Sequence, residues 1–274
     1  MPTLGLIAGS GRFPILVAEQ AKRMGVDVVA LGIKGVTDAE LDRIARVEYF
    51  RLGQIDKPLQ YLKKAGVRQA VMAGKVQHHS LFGGILPDLR AVKLLAGLKD
   101  RRTDTILAAV ADEFKREGIE LLPSSTYLSH LLAVEGVLTR RKPTSAETAD
   151  LELGWKAAKA LSGFDIGQSV VVCEKAVIAV EAMEGTDATI ERAAQLAAAH
   201  GKHPDLAVVK VAKPKQDLRF DLPVFGLGSL KIFERFKVST LMVEADQTLL
   251  FDKDEFLAGA DRLKMAIVAR KGAA

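Results

Sequence analysis

The chain has 274 residues, 49% of them hydrophobic and 5% aromatic, with a formal net charge of +5. That supplies apolar surface for one large core or two modest ones, while sparse aromatics and interleaved charges count against a nucleic-acid binder, and the basic balance suits an anionic ligand or lipid headgroups. The first residues lack a basic leader, the longest apolar stretches fall short of the roughly 20 residues of a membrane span, and the single cysteine, Cys173, permits no internal disulfide, so a cytoplasmic protein is expected.

Over the first ~130 residues, short β-branched runs alternate with amphipathic stretches, the pattern of a parallel sheet covered by helices. Strands are expected at Leu4–Ala8, Val26–Leu31, Val47–Arg51, Gln69–Ala73 and Ile119–Leu122. Helices are expected near Phe13–Met24, Asp38–Ile44, Lys57–Ala65, Leu89–Leu98 and Asp104–Glu117. The pattern breaks around Ala133–Ala146, with Gly136, the basic triplet Arg140-Arg141-Lys142 and Pro143, which divides the chain into a Rossmann-like domain over 1–135 and a mixed α/β domain over 136–274. The second domain opens with a helix at Glu147–Leu161. Gly167–Cys173 and Ala176–Glu181 then read as a hairpin turning at Glu174-Lys175. A helix at Thr189–His200 follows, then strands at Leu206–Val211, Thr240–Val243, Thr248–Phe251 and Ala266–Ala269, with helices near Gly228–Phe236 and Asp254–Leu263. Cys173, inside an apolar run, reads as a core residue rather than a nucleophile.

Several segments carry chemistry. Gly9-Ser10-Gly11 falls between the first strand and the first helix, where its amides could cradle an anion or simply make a tight turn. Pro14 stands where a dinucleotide fingerprint needs its third glycine, and Gly32-Ile33-Lys34 offers no acid at the end of strand two, so a nicotinamide oxidoreductase is disfavoured. Lys75, after strand four, could meet a phosphate at the same edge, whereas the adjacent His78 and His79 cannot share one strand face and do not make a zinc pair. Downstream, Glu184, Thr186 and Asp187 combine carboxylates with a helix cap, and could be a cap alone or part of a metal site. Lys213, Lys215, Gln216, Asp217, Arg219 and Asp221 crowd before Pro223; if extended, the segment places Asp217, Arg219 and Asp221 on one side, as metal ligands or as an ion-pair ladder. Carboxylates beside cations suit a divalent metal with a phosphate.

These segments resemble the LpxI-type UDP-2,3-diacylglucosamine pyrophosphatases of lipid A biosynthesis, through Leu4–Gly11, Ala73-Gly74-Lys75-Val76, Leu86-Pro87-Asp88-Leu89, Asp165-Ile166-Gly167-Gln168, Ala179–Asp187 and Phe220-Asp221-Leu222-Pro223. The resemblance implies a homodimeric hydrolase that splits UDP-2,3-diacylglucosamine into UMP and 2,3-diacylglucosamine 1-phosphate (lipid X) with Mg²⁺ or another divalent cation. Its substrate would lie between the two domains, with peripheral contact at the cytoplasmic face of the inner membrane. It places catalysis and metal binding on Asp221, with Glu184 and Asp187 beside it. Gly9, Ser10, Gly11, Lys75, Gln168, Thr186, Lys213, Gln216 and Arg219 would bind substrate, and the apolar stretch Leu81–Leu86 would cover acyl chains. Thr103-Asp104 stands where the family often has paired aspartates, and Phe225–Ser229 departs from its usual turn. A non-catalytic nucleotide-sugar-binding protein would use the same glycine loop and cations, but would gain nothing from so many carboxylates.

Overall fold

A computed structural model describes residues 2–76, 87–100, 102–199, 205–214, 216–220 and 222–272. His78, His79, Leu81–Leu86, His200, His203, Lys215 and Asp221 lie outside the described residues. The chain forms two compact units, Met1–Ser129 with Asp217–Asp221, and His130–Gln216 with Leu222–Ala274.

In the first unit, β1 (Thr3–Ala8), β2 (Asp27–Ile33), β3 (Arg46–Phe50), β4 (Gln69–Ala73) and β5 (Glu120–Leu122) form a parallel sheet in the order β3-β2-β1-β4-β5. The helices are α1 (Arg12–Arg23), α2 (Asp56–Lys64), α3 (Leu89–Ala96) and α4 (Thr103–Arg116), and the helix expected at Asp38–Ile44 is a 3-10 turn over Ala39–Arg43. α2 and α4 bury Leu59, Leu62, Ala111 and Phe114 against Val29, Leu31, Met72 and Leu121 of the sheet. Each such aliphatic side chain contributes about 1.5–3 kcal/mol. The strand order reverses between β1 and β4, and ligands of open α/β sheets bind at such a reversal, beyond the carboxyl ends of the strands.

The second unit adds β6 (Gly136–Val137), β7 (Ser169–Cys173), β8 (Ala176–Val180), β9 (Leu206–Lys210), β10 (Val224–Phe225), β11 (Val238–Glu244), β12 (Leu249–Leu250) and β13 (Ala266–Arg270). It also holds α5 (Ser145–Gly163), α6 (Thr186–Ala199), α7 (Leu227–Arg235) and α8 (Lys253–Arg262). Its six-stranded sheet runs β6-β13-β11-β9-β7-β8, with β9, β11 and β13 parallel. The period of two along β7 is plain: Val170 and Val172 pack with Leu151 and Trp155 of α5, while Val171 and Cys173 belong to the opposite cluster with Ile190, Phe233 and Phe256. Cys173 is thus a core residue. The β7–β8 hairpin turns at Glu174 and Lys175, both at positive φ (47° and 61°), the geometry that matches strand twist in a two-residue turn. The short strands β6 and β10 were not legible in the sequence; two residues each are below any periodicity.

Candidate functional site at the carboxyl edges of the two sheets

In the first unit the glycine loop meets Lys75 at the strand-order reversal. Gly9 N–H donates to the Ala73 carbonyl at 2.8 Å, and Ser10 and Lys75 exchange backbone hydrogen bonds at 2.9 and 3.1 Å. Contact is so close that a Cβ on Gly9 would stand 2.7 Å from the Lys75 carbonyl oxygen, and one on Gly74 2.8 Å from Gly9. The glycines therefore serve the loop's own packing, whatever else they do. The Gly11 N–H, at the start of α1, is taken by the Asp38 carboxylate at 2.7 Å. An anion at that helix start would compete with Asp38 for this donor.

The segment following Gln216 does not run extended. Residues 218–220 form a turn in which Phe220 N–H donates to the Asp217 carbonyl, so the extended run that would have put Asp217 and Arg219 in strand alternation is absent over 217–220. Asp217 Oδ1 accepts the Arg219 N–H at 3.0 Å, an Asx-type turn, and its carboxylate grips the guanidinium through Nε and Nη2 at 2.9 and 2.6 Å. That guanidinium holds the Asp217 carboxyl below the usual carboxylate range. Arg219 is thereby paired within its own turn. The Phe220 ring packs against the first unit's core, which is why this turn belongs to the first unit although 136–274 was expected to form one domain.

The second unit's edge is built from buried charge. Lys210, at the end of β9 and 8% exposed, donates to Thr186 Oγ1 at 3.0 Å and lies 5.2 Å from the centre of the Phe225 ring. Thr186 Oγ1, at the first residue of α6, donates to Glu181 Oε1 at 2.9 Å, with Ser169 Oγ 3.2 Å away. Sequence reasoning found Thr186 but missed Lys210 and Glu181. The available signal was a lysine inside the apolar run Leu206–Val211, since such a cation is buried only with partners. Next to this network Gln168 Oε1 is buried and finds no hydrogen-bond partner among the described residues. Lys213 pairs with Asp165 at 2.7 Å, and Gln216 Oε1 accepts the Lys213 N–H at 2.8 Å.

Glu184 and Asp187 flank the start of α6 differently. Asp187 is exposed in its first turn. Glu184 accepts from the Ala182 N–H at 3.0 Å and from Arg192 at 2.7 Å. Its own amide, then Arg192 and Ala182, hold its carboxyl below the usual range. With both oxygens engaged, Glu184 fits a helix-start clamp better than a metal ligand. Among the described residues no group of three or more His, Cys, Asp or Glu could hold a metal. Asp88, in the Leu-Pro-Asp-Leu stretch, is structural: it caps α3 at Ala91 N–H (2.8 Å) and accepts the Ile55 and Asp56 amides that begin α2. A cavity of about 820 Å³ opens at the opposite edge of the second sheet, beside Arg141, Glu147, Asp150, Lys175 and Asp205, and includes none of the candidate residues. Two of the carboxylates there are engaged within the unit, Glu147 by Arg141 and Asp150 by the Lys175 amide.

Comparisons with known proteins agree over the whole length. The LpxI N-terminal domain model matches residues 3–131 and the LpxI C-terminal domain model residues 134–268. A relative from Caulobacter vibrioides, UDP-2,3-diacylglucosamine pyrophosphatase LpxI, is 31% identical over 98% of this chain and 97% of its own. Solved structures give weak likenesses that carry no argument. N5-carboxyaminoimidazole ribonucleotide synthetase from Thermotoga maritima aligns at 15% identity with TM-score 0.25, over 66% of this chain and 41% of that one. The Staphylococcus aureus N5-carboxyaminoimidazole synthetase aligns at 14% with TM-score 0.24, over 71% and 44%. With both domain models matched in order and nearly every residue spanned, the chain belongs to the LpxI family.

Proposed function

We propose that this chain is a hydrolase that cleaves UDP-2,3-diacylglucosamine with water to UMP and 2,3-diacylglucosamine 1-phosphate in lipid A synthesis. The observation that carries the reading is the 31% identity, over 98% of the chain, to a pyrophosphatase named for that substrate. Water adds at the sugar-side phosphorus and the bond from that phosphorus to the bridging oxygen breaks, so UMP leaves with the oxygen. Asp221 orients the water and takes up its proton. Lys213 meets the non-bridging oxygens. Lys75 meets a second part of the ligand; Gly9, Ser10 and Gly11 shape the loop beside it, their amides being taken by Ala73, Lys75 and Asp38. In the second unit Gln168, Thr186 and Gln216 are the further polar contacts of the reading.

Mg²⁺ or another divalent cation is part of the reading, and would neutralise the diphosphate oxygens. Asp187 and Asp221 would hold it, while Glu184 is engaged by Arg192. No helix among the described residues is long and apolar enough to cross a membrane. A cytoplasmic homodimer in peripheral contact with the inner membrane, where a diacylated substrate resides, is also part of the reading. The test is UMP release from the UDP-sugar lipid with Mg²⁺ and with EDTA, on wild type and Asp221→Ala. Loss of turnover in the variant with ligand binding retained is expected; binding without hydrolysis by the wild type would leave the nucleotide-sugar-binding alternative.

A further inference from the structure

Ser124 stands where β5 leaves the sheet. The β4–β5 register pairs Val71 with Leu122, and Glu120 N–H donates to the Arg68 carbonyl. Parallel ladders repeat every two residues, so a continuing strand would bring the Ser124 N–H onto the Met72 carbonyl. Instead that N–H turns to the Leu218 carbonyl at 2.8 Å. The Ser124 hydroxyl fills the position it vacates, with Oγ 2.8 Å from the Met72 carbonyl oxygen. A buried strand carbonyl is thus satisfied. The same Oγ lies 2.6 Å from the Arg219 carbonyl, so its one proton is shared between two acceptors. Ser124 is 1% exposed, and water cannot substitute for it without opening the sheet end.

Two consecutive carbonyls of the 217–220 turn, Leu218 and Arg219, therefore end on one residue. The turn's other face is fixed by the Asp217–Arg219 pair and by Phe220 in the core. We infer that Ser124 is a positioning residue: it ties the 217–220 turn, which immediately precedes Asp221 in the sequence, to the carboxyl end of β4. The inference rests on the reading of Asp221 as the group that orients water.

Ser124→Ala removes the shared proton. Turnover per folded enzyme, read as UMP release, falls between about tenfold and a hundredfold with KM unchanged, the penalty of a slightly misplaced group. Ser124→Thr, which keeps the hydroxyl, restores most of the rate. Amide hydrogen exchange in peptides covering 217–220 speeds up in Ser124→Ala while the β1–β4 peptides keep wild-type protection. Wild-type kcat in the alanine variant overturns the inference, as does exchange that is unchanged or faster throughout the sheet. A wild-type protein that releases no UMP overturns the proposed reaction instead, and the exchange measurement then decides by itself whether Ser124 holds the turn.

Discussion

The two carboxyl edges are made of different materials. In the first unit the edge is backbone: Gly9, Ser10, Gly74 and Lys75 interlock by main-chain hydrogen bonds, and Asp38 takes the Gly11 amide. In the second it is buried side-chain charge: Lys210 with Thr186 and Glu181, and Lys159 with Glu244. Backbone donors are fixed in place by the sheet and discriminate shape. Buried charges are costly to desolvate, persist only when paired, and respond strongly to losing a partner. The first edge should therefore be sensitive to volume and the second to charge.

The largest effect is expected at Glu244, 5% exposed, which receives Lys159 Nζ at 2.8 Å on both oxygens and the Ala212 N–H at 2.8 Å. Lys159→Met keeps most of the stem but removes the ammonium that neutralises the carboxylate and lies 5.5 Å from the centre of the Trp155 ring, leaving Glu244 with the Ala212 N–H. Removing one partner of a buried pair costs about 3–5 kcal/mol, so denaturant unfolding should show that loss in the second unit. A change below about 1 kcal/mol would mean this edge is not charge-sensitive, and the contrast between the units would fail.

The volume side of the contrast is tested at Gly9. Its added methyl meets the Lys75 carbonyl at 2.7 Å, which is backbone and cannot swing aside. Gly9→Ala should cost about 1–3 kcal/mol by overpacking and loosen Lys75, whereas Gly11→Ala meets no atom within 4 Å and is strained only through its φ of 89°. Equal melting temperatures for wild type and Gly9→Ala would remove the steric argument.

What could be read from the sequence follows the same division. The parallel sheet, its order of elements and the β7–β8 hairpin were legible, because continuous apolar runs and a two-residue turn leave local signatures. Thr186 was expected to cap a helix starting near Thr189; α6 starts at Thr186 itself, and the hydroxyl binds Glu181 and Lys210 instead. Lys210 and Glu181 were not, because a buried ion network is a tertiary property: nothing within β9 indicates that Thr186 waits opposite its end. Nor was the return of Asp217–Phe220 to the first unit, which depends on Ser124 breaking a ladder some 95 positions earlier. The basic triplet Arg140-Arg141-Lys142, read as a charge cluster, turned out to contain an internal tie, Arg141 binding Glu147 through two nitrogens at 2.7 and 2.9 Å.

That tie gives a pH test away from both edges. Burial opposes ionisation of Glu147, but Arg141 and the Thr144 N–H outweigh it and hold its carboxyl at about 2, against an ordinary 4.5. A depressed carboxylate stabilises the fold fully above its unfolded value and loses that contribution as pH falls toward its folded value. Stability of the wild type should accordingly drop between about pH 4.5 and 2, and Glu147→Gln should flatten that part of the curve while costing about 1–3 kcal/mol at neutral pH. An unchanged acid limb in the variant would assign the acid sensitivity to other carboxylates.

The smallest structural effect belongs to Lys213, where the two edges' logics separate from function. Its pair with Asp165 is partly exposed, at 23% and 39% of the two side chains, and exposed pairs contribute about 0–1 kcal/mol. Lys213→Ala should change the melting temperature little, because its backbone N–H still binds Gln216. If the ammonium serves the diphosphate, the same variant raises KM for the UDP-sugar lipid severalfold with kcat less affected, and Asp165→Asn, which removes the carboxylate charge 2.7 Å from the ammonium, lowers KM. An unaltered KM in Lys213→Ala removes the residue from substrate binding and moves the phosphate-binding role toward Lys75.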